Sequence, residues 1–177
     1  MALDPLALYR QASAWNADKV GGVKDLDAAT PCDEWTVRDL LNHMLDTQRY
    51  FLAAARGEDA SPPSANPPNV LSDNPRQDFE RIQADVIDAF SQDGVIDRTG
   101  PALGIAFADQ LLHGCDLARA TGQDDTMPEG LAQAAYDVVH GRFTDEQRKG
   151  VFKPEIPVGD DATPQQRLVA YTGRNPS

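Results

Sequence analysis

The stretch DQLLHGCDLARATG, residues 109–122, places one imidazole between two carboxylates. Asp109 precedes His113 by four residues, and Asp116 follows it by three. Because residues three and four apart lie on the same face of a helix, the spacing directs the side chains of Asp109 and His113 toward a common point. Carboxylate and imidazole groups are ligands of divalent metal ions, so this segment is a candidate for part of a metal site.

A metal site inside a helix bundle needs further ligands from another helix, and the sequence has only three histidines. His43 stands in LLNHML, beside Leu40 and Leu41 on the apolar stripe of an earlier helical segment. An imidazole buried there without a partner would cost desolvation free energy. His43, Asp109 and His113 would form a two-histidine, one-carboxylate set with room for water or substrate, which suits catalytic zinc, iron or nickel.

The same residues also have purely structural interpretations. An Asp-x-x-x-His pair is common on helices and does not by itself require a metal ion. Asp116 could instead cap the helix or hydrogen-bond a neighbouring side chain. His140 precedes Gly141 near a helix end, where a cation interacts favourably with the helix dipole, and we favour this structural role for it.

The elements that must position these residues are helices. Apolar residues recur at helical spacing in five segments, at about 4–23, 37–56, 75–92, 103–121 and 128–143. Thr36 is predicted to cap the second segment together with Asp39, and Gly57 to end it. The segment 128–143 forms either a further bundle helix or a capping helix. No sustained alternation of apolar and polar residues occurs, so the sequence predicts an all-α, up-down four-helix bundle.

The chain of 177 residues is expected to form one domain spanning 1–177. Residues 58–75 are rich in proline, with two Pro-Pro pairs, and are predicted to form a surface loop between helices. The connector at 93–104 is expected to include some extended residues. The tail 150–177 is expected to combine an extended segment with one short helix after Thr163.

Composition narrows the classes of partner. The net charge of −12 argues against nucleic acid and against an anionic membrane surface. No apolar run reaches the roughly 20 residues needed to span a bilayer, and the first residues lack the features of a signal peptide, so we expect a cytoplasmic protein. Cys32 and Cys115 show no zinc-ribbon spacing and are interpreted as free thiols.

Two motifs together resemble a known family. TPCDEWTVRDLLNHML, followed later by DQLLHGCDLARATGQ, is similar to the DinB-like superfamily, and within it to the mycothiol-dependent maleylpyruvate isomerase N-terminal domain branch. The resemblance implies a divalent metal held between two bundle helices by His43, Asp109 and His113. It also implies that Asp116 supports a ligand or ties helices together. Trp35 in the first motif is expected to pack at the end of the bundle and not to line a cofactor site.

The chain departs from the family motif at one position, because Cys115 stands where tryptophan is usual. A cysteine in place of tryptophan is expected to open volume beside His113. Its sulfur is either a small buried apolar group or a reactive or additional ligand group. We therefore place Cys115, with Asp116, in the layer of residues around the ligands.

The resemblance implies thiol-dependent chemistry on a small-molecule substrate. Its members include transferases and isomerases that use mycothiol, and a metal such as zinc, nickel or iron would supply the thiolate. Maleylpyruvate isomerases proper carry an added C-terminal domain, so their specific reaction is not carried over. Two alternatives remain: a non-catalytic protein that binds metal or small molecules for sequestration or sensing, and a hydrolase or lyase using metal hydroxide. Relatives often form dimers, so a homodimer is an option.

Overall fold

The computed structural model describes residues 3–177, which fold into eight helices. They are α1 (Pro5–Gly21), α2 (Val37–Arg56), α3 (Pro75–Phe90), α4 (Val95–Thr99), α5 (Ala102–Ala120), α6 (Leu131–Val139), α7 (Asp145–Lys149) and α8 (Pro164–Tyr171). Within these residues, extended pairing is limited to one isolated bridge between Ala29 and Thr36. The predicted all-α class is therefore confirmed. No helix in the described part of the chain is both long enough and apolar enough to cross a membrane.

The four long helices form the bundle. α1 packs against α3 and α5, and α2 packs against the same two helices, so the four enclose one core. Large side chains from each of them are almost fully buried there, including Tyr9, Leu40, Phe79 and Phe107. Because α2 and α5 are neighbours, the two predicted ligand segments lie against each other.

The sequence left the role of 128–143 open, and the structure decides it. Only Leu131–Val139 is helical, and this helix packs against α5 and α8, outside the four-helix ring. It is therefore the capping helix of the two alternatives. The connector expected to contain extended residues instead forms α4, which begins after Gly94 in the left-handed conformation (φ 76°). That expectation was wrong because a local glycine cap starts a helical turn there.

Local sequence fixes both ends of α2, the helix that carries His43. Thr36 Oγ1 accepts a hydrogen bond from the backbone N–H of Asp39 at 3.3 Å, and Asp39 Oδ2 accepts one from the N–H of Thr36 at 3.0 Å. This is the predicted capping box, which satisfies two otherwise unpaired backbone donors. Gly57 ends the helix with φ 71°, as expected for a left-handed cap.

The proline-rich loop and the tail both fold back over this end of the bundle. In the loop, Trp35 Nε1 donates to the Ala65 carbonyl at 3.0 Å. Asn42 Oδ1 accepts from the backbone N–H groups of Val70 and Leu71 at 2.8 and 3.1 Å. The tail contains the expected short helix, α8, which packs against α6. The loop is thereby held against the start of α2, and the tail reaches α5 through Arg174, whose Nε donates to Asp116 Oδ1 at 2.9 Å.

Gly114 lets α5 approach α1 closely, and this packing can be tested. A Cβ at Gly114 would lie 2.6 Å from Trp15 Cζ3 and 3.1 Å from Asn16 Nδ2. We predict that Gly114→Ala lowers the free energy of unfolding by about 1–3 kcal/mol through overpacking, as measured by urea denaturation. The matched control is Gly104→Ala on the same helix, where the nearest atoms belong to Val138 at 3.5 Å.

At Gly104, alanine meets only ordinary van der Waals contact, and its higher helix propensity is expected to raise stability by up to about 1 kcal/mol. Equal destabilisation by both substitutions would contradict a specific close approach of α1 and α5 at Gly114.

Candidate metal centre

The structure brings all three predicted ligands together. His43 on α2 faces Asp109 and His113 on α5, and one donor atom from each residue lies within 4.8 Å of the others. The His43 and His113 rings meet edge to face, with centroids 4.9 Å apart. His113 Nε2 lies 3.5 Å from Asp109 Oδ1. The i, i+4 spacing on α5 and the α2–α5 contact together form this cluster.

Two atoms of the cluster have no hydrogen-bond partner. Among the described residues, His43 Nδ1 and Asp109 Oδ2 are both buried and unpaired. A buried polar atom without a partner costs on the order of 1–3 kcal/mol. A divalent cation within reach of the three donors would supply the missing interaction. The two-histidine, one-carboxylate set therefore fits a metal ion with an open coordination position.

Burial keeps His43 in the form that binds metals. Burial, aided by the nearby charge of His113, lowers the pKa of His43 to about 3. The imidazole is therefore neutral at pH 7 and has a lone pair available for a cation. The Trp35 ring lies 4.7 Å from the His43 ring and shields it. Trp35 lies at the end of the bundle, in the turn before α2, as expected, but its indole packs against His43 and does not stay clear of the site.

His113 is oriented by a buried carboxylate. Its Nδ1 lies 3.1 Å from Asp116 Oδ2, and Arg174 in the tail donates to both Asp116 oxygens, from Nε to Oδ1 and from Nη2 to Oδ2, at 2.9 Å each. Burial alone would raise the pKa of Asp116, but Arg174 and His113 hold it well below its usual range. The ionised Asp116 thus accepts the Nδ1–H of His113, which directs Nε2 toward His43 and Asp109.

The same carboxylates change the proton affinity of His113. Burial alone would lower the pKa of His113, but Asp109 and Asp116 outweigh it and raise that pKa to about 10. Burial raises the pKa of Asp109, and the charge of His113 opposes this effect. In the metal-free protein a proton therefore occupies the position where a cation would neutralise the same carboxylates.

Two cavities meet at His113. One, of about 300 Å³, is lined by the three predicted ligands together with Tyr50, Phe51, Phe143 and Phe152. The other, of about 630 Å³, is lined by Cys32, Trp35 and Asp116. His113, Val151, Phe152 and Arg174 line both cavities. Residues of the tail thus form part of the wall of each cavity.

The sequence gives no prediction of the contacts that two residues distant along the chain, Cys32 and Arg174, make with Asp116. The sequence predicts a free thiol at Cys32, which the structure confirms, but it gives no contact for that thiol, whose Sγ lies 3.4 Å from Asp116 Oδ2. Cys32 stands inside the quoted TPCDEW motif, which is the one signal that could have drawn attention to it. Nothing in the pattern around Arg174 indicated its contact with Asp116.

Two other residues lie apart from the cluster. Cys115 is fully buried, its Sγ is 3.8 Å from Asp125 Oδ2, and it is not among the residues that line either cavity. Burial raises the pKa of Cys115 to about 12, so its thiol stays protonated. Of the two residues expected around the ligands, Asp116 contacts His113, whereas the Cys115 side chain does not face the cavities. His140 caps α6 and stacks on Tyr136 with ring centroids 4.8 Å apart, as its structural interpretation allowed.

The fold and the cluster define a class: a helix-bundle protein with a candidate cation site between two of its long helices. Residues 9–143 match the family model described as the mycothiol maleylpyruvate isomerase N-terminal domain. The chain belongs to this family. The family is DinB-like in fold and is associated with metal binding and mycothiol-related chemistry.

Two curated relatives are similar over nearly the whole chain. Both are uncharacterised proteins of Mycobacterium tuberculosis, one from strain CDC 1551 / Oshkosh and one from strain ATCC 25618 / H37Rv. Each is 27% identical, with 97% of this chain and 98% of the relative covered. No solved structure matches the chain.

We predict that His43→Ala and His113→Ala each remove most of the bound metal, because each variant leaves only two donors. Asp109→Asn should weaken binding while helix content, measured by circular dichroism, stays unchanged. Metal content after purification is measured by inductively coupled plasma mass spectrometry. His140→Ala is the control, since His140 lies outside the cluster. Equal metal content in all of these variants would refute the ligand assignment.

Metal affinity should also depend on pH. The pKa of His113 is raised to about 10, so metal binding near neutral pH must displace its proton, whereas His43 is already neutral. Competition from this proton falls as pH rises. The observed association constant for Zn²⁺ is therefore expected to rise about tenfold per pH unit between about pH 6 and pH 8, measured against a chromophoric chelator.

Asp116→Asn tests the cause of this pH dependence. Removing that charge lowers the pKa of His113. The rise of the Zn²⁺ association constant with pH should therefore level off at a lower pH in this variant than in the wild type. A pH-independent association constant in the wild-type protein would show that no proton is displaced from His113.

Proposed function

We propose that the protein is a metal-dependent enzyme that uses a low-molecular-weight thiol, such as mycothiol, in a transferase or isomerase reaction on a small electrophile. The observation that carries this proposal is the cluster of His43, Asp109 and His113 on the wall of a cavity. It includes two buried donor atoms that lack any partner. Membership of the mycothiol maleylpyruvate isomerase N-terminal domain family supports the choice of thiol.

The three side chains would hold a divalent cation, with zinc favoured and nickel or iron as alternatives. When bound, such a cation lowers the pKa of a coordinating thiol so that the nucleophilic thiolate is present at neutral pH. Asp116 would keep the His113 ring in one orientation by accepting its Nδ1–H. Arg174 would in turn hold Asp116 ionised and in place.

The cavity at the ligands indicates the kind of electrophile. Its volume of about 300 Å³ is at the lower end of the range for small-molecule sites, and aromatic side chains form much of its wall. Such walls would exclude water from the reacting atoms and favour a small, largely apolar substrate. The adjacent cavity of about 630 Å³ would leave room for the polar parts of a thiol co-substrate beside His113.

The same cavity favours catalysis over the alternative of sequestration or sensing. A site built only to hold a metal would be closed by a fourth protein ligand. Here the three donors line a space of about 300 Å³ instead. Hydrolysis or elimination by metal-bound hydroxide would use the same cavity but would need no thiol. A requirement for a thiol therefore distinguishes the proposed transferase or isomerase from a hydrolase or lyase.

The test is a conjugation assay with mycothiol and monochlorobimane, using zinc-loaded protein. We predict a rate above the uncatalysed background that is lost on adding a chelator and restored by Zn²⁺. His43→Ala should show only background, whereas His140→Ala should match the wild type. A metal-loaded wild-type protein that gives no chelator-sensitive conjugation would favour the binding function. Chelator-sensitive turnover of an ester or amide without thiol would favour the hydrolase.

A further inference from the structure

We infer that the protein has a second cation site, formed by Cys32, His113 and Asp116, which thiophilic cations occupy in place of the first site. One donor atom from each of these three residues lies within 4.8 Å of the other two. They come from the turn before α2 and from α5, on the side of His113 that faces the larger cavity. This site shares only His113 with the proposed catalytic centre and does not depend on any reaction there.

The hydrogen bonds at Asp116 outline the position of the cation. Cys32 Sγ donates to Asp116 Oδ2 at 3.4 Å, and His113 Nδ1 lies 3.1 Å from the same oxygen. Two proton-bearing donors therefore converge on one carboxylate oxygen. A cation that replaces both protons would be bound by a thiolate, an imidazole nitrogen and a carboxylate. This sulfur, nitrogen and oxygen set suits soft ions such as cadmium.

The charges around the second site make the Cys32 thiolate essential for binding a divalent cation. Arg174 already donates to both oxygens of Asp116 and forms an ion pair with it. A divalent cation next to this guanidinium needs a further negative ligand, which the Cys32 thiolate supplies. Without the sulfur, the remaining imidazole and the shared carboxylate would hold a cation only weakly.

Only one of the two sites can be filled at a time, because they use opposite nitrogens of the same ring. A neutral imidazole offers one lone pair and one N–H. When Nε2 binds in the first site, Nδ1–H donates to Asp116 at 3.1 Å. When Nδ1 binds in the second site, Nε2–H faces Asp109 Oδ1 at 3.5 Å. In both states the free nitrogen faces a carboxylate, as is usual for metal-bound histidine.

Access also differs between the two sites. Cys32 is partly exposed and lines the cavity of about 630 Å³, whereas His43 and Asp109 line the smaller one. A cation from solvent can therefore reach the sulfur without passing the aromatic walls of the smaller cavity. Occupation of the second site would take His113 away from the first and would inhibit it.

The experiment titrates the metal-free protein with Cd²⁺ and follows the ultraviolet thiolate-to-cadmium charge-transfer absorption. The wild type should show this band, saturating at a single ion per chain. Cys32→Ser and His113→Ala should lose it. Cys115→Ser should retain it, because that thiol is buried beside Asp125. His43→Ala should also retain it, since it disables only the first site.

A band that persists in Cys32→Ser, or that is absent from both the wild type and His43→Ala, would overturn the inference. Saturation of the wild type at two ions per chain would overturn the exclusive use of His113. These readouts are independent of the conjugation assay, so inactivity with mycothiol would leave them unchanged.

A second measurement avoids substitutions altogether. Alkylation of Cys32 by iodoacetamide in the wild-type protein, followed by mass spectrometry, should be strongly slowed by saturating Cd²⁺. Mg²⁺ is the control, because it prefers oxygen ligands and should give no protection. An alkylation rate that Cd²⁺ does not change would show that the sulfur is not a ligand.

Discussion

The ion pair between Asp116 and Arg174 is the interaction on which the site depends. Asp116 is buried on α5, and it stays ionised because Arg174 and His113 both donate to it. The contact joins the tail to the bundle at the point where the two cavities meet. Removing either partner would leave a buried charge uncompensated, so the orientation of His113 and the position of the tail are coupled.

The surroundings of the two histidines shift their pKa values in opposite directions. Burial lowers the pKa of His43 to about 3, and the nearby charge of His113 adds to this effect. His113 lies between Asp109 and Asp116, and its pKa rises to about 10. One neutral ring and one ring held between carboxylates form a set that is electrostatically prepared for a cation. In the metal-free protein a proton compensates for that charge.

The tail gives the site its shape. The family model covers residues 9–143, whereas Val151, Phe152 and Arg174 lie beyond this range and line both cavities. The predicted ligands belong to the part of the chain shared with the family, and the walls that would select a substrate come partly from outside it. The tail therefore shapes both cavities although it lies outside the range that the family model matches.

The sequence by itself determined the features that depend on local periodicity. The α2 capping box, the glycine that ends it and the shared face of Asp109 and His113 all arise within a few residues of the chain. Only the tertiary structure decided that α6 caps the bundle and that Cys32 and Arg174 meet Asp116, across 84 and 58 residues. Such contacts depend on how packed helices and loops meet in space, which helical spacing does not specify.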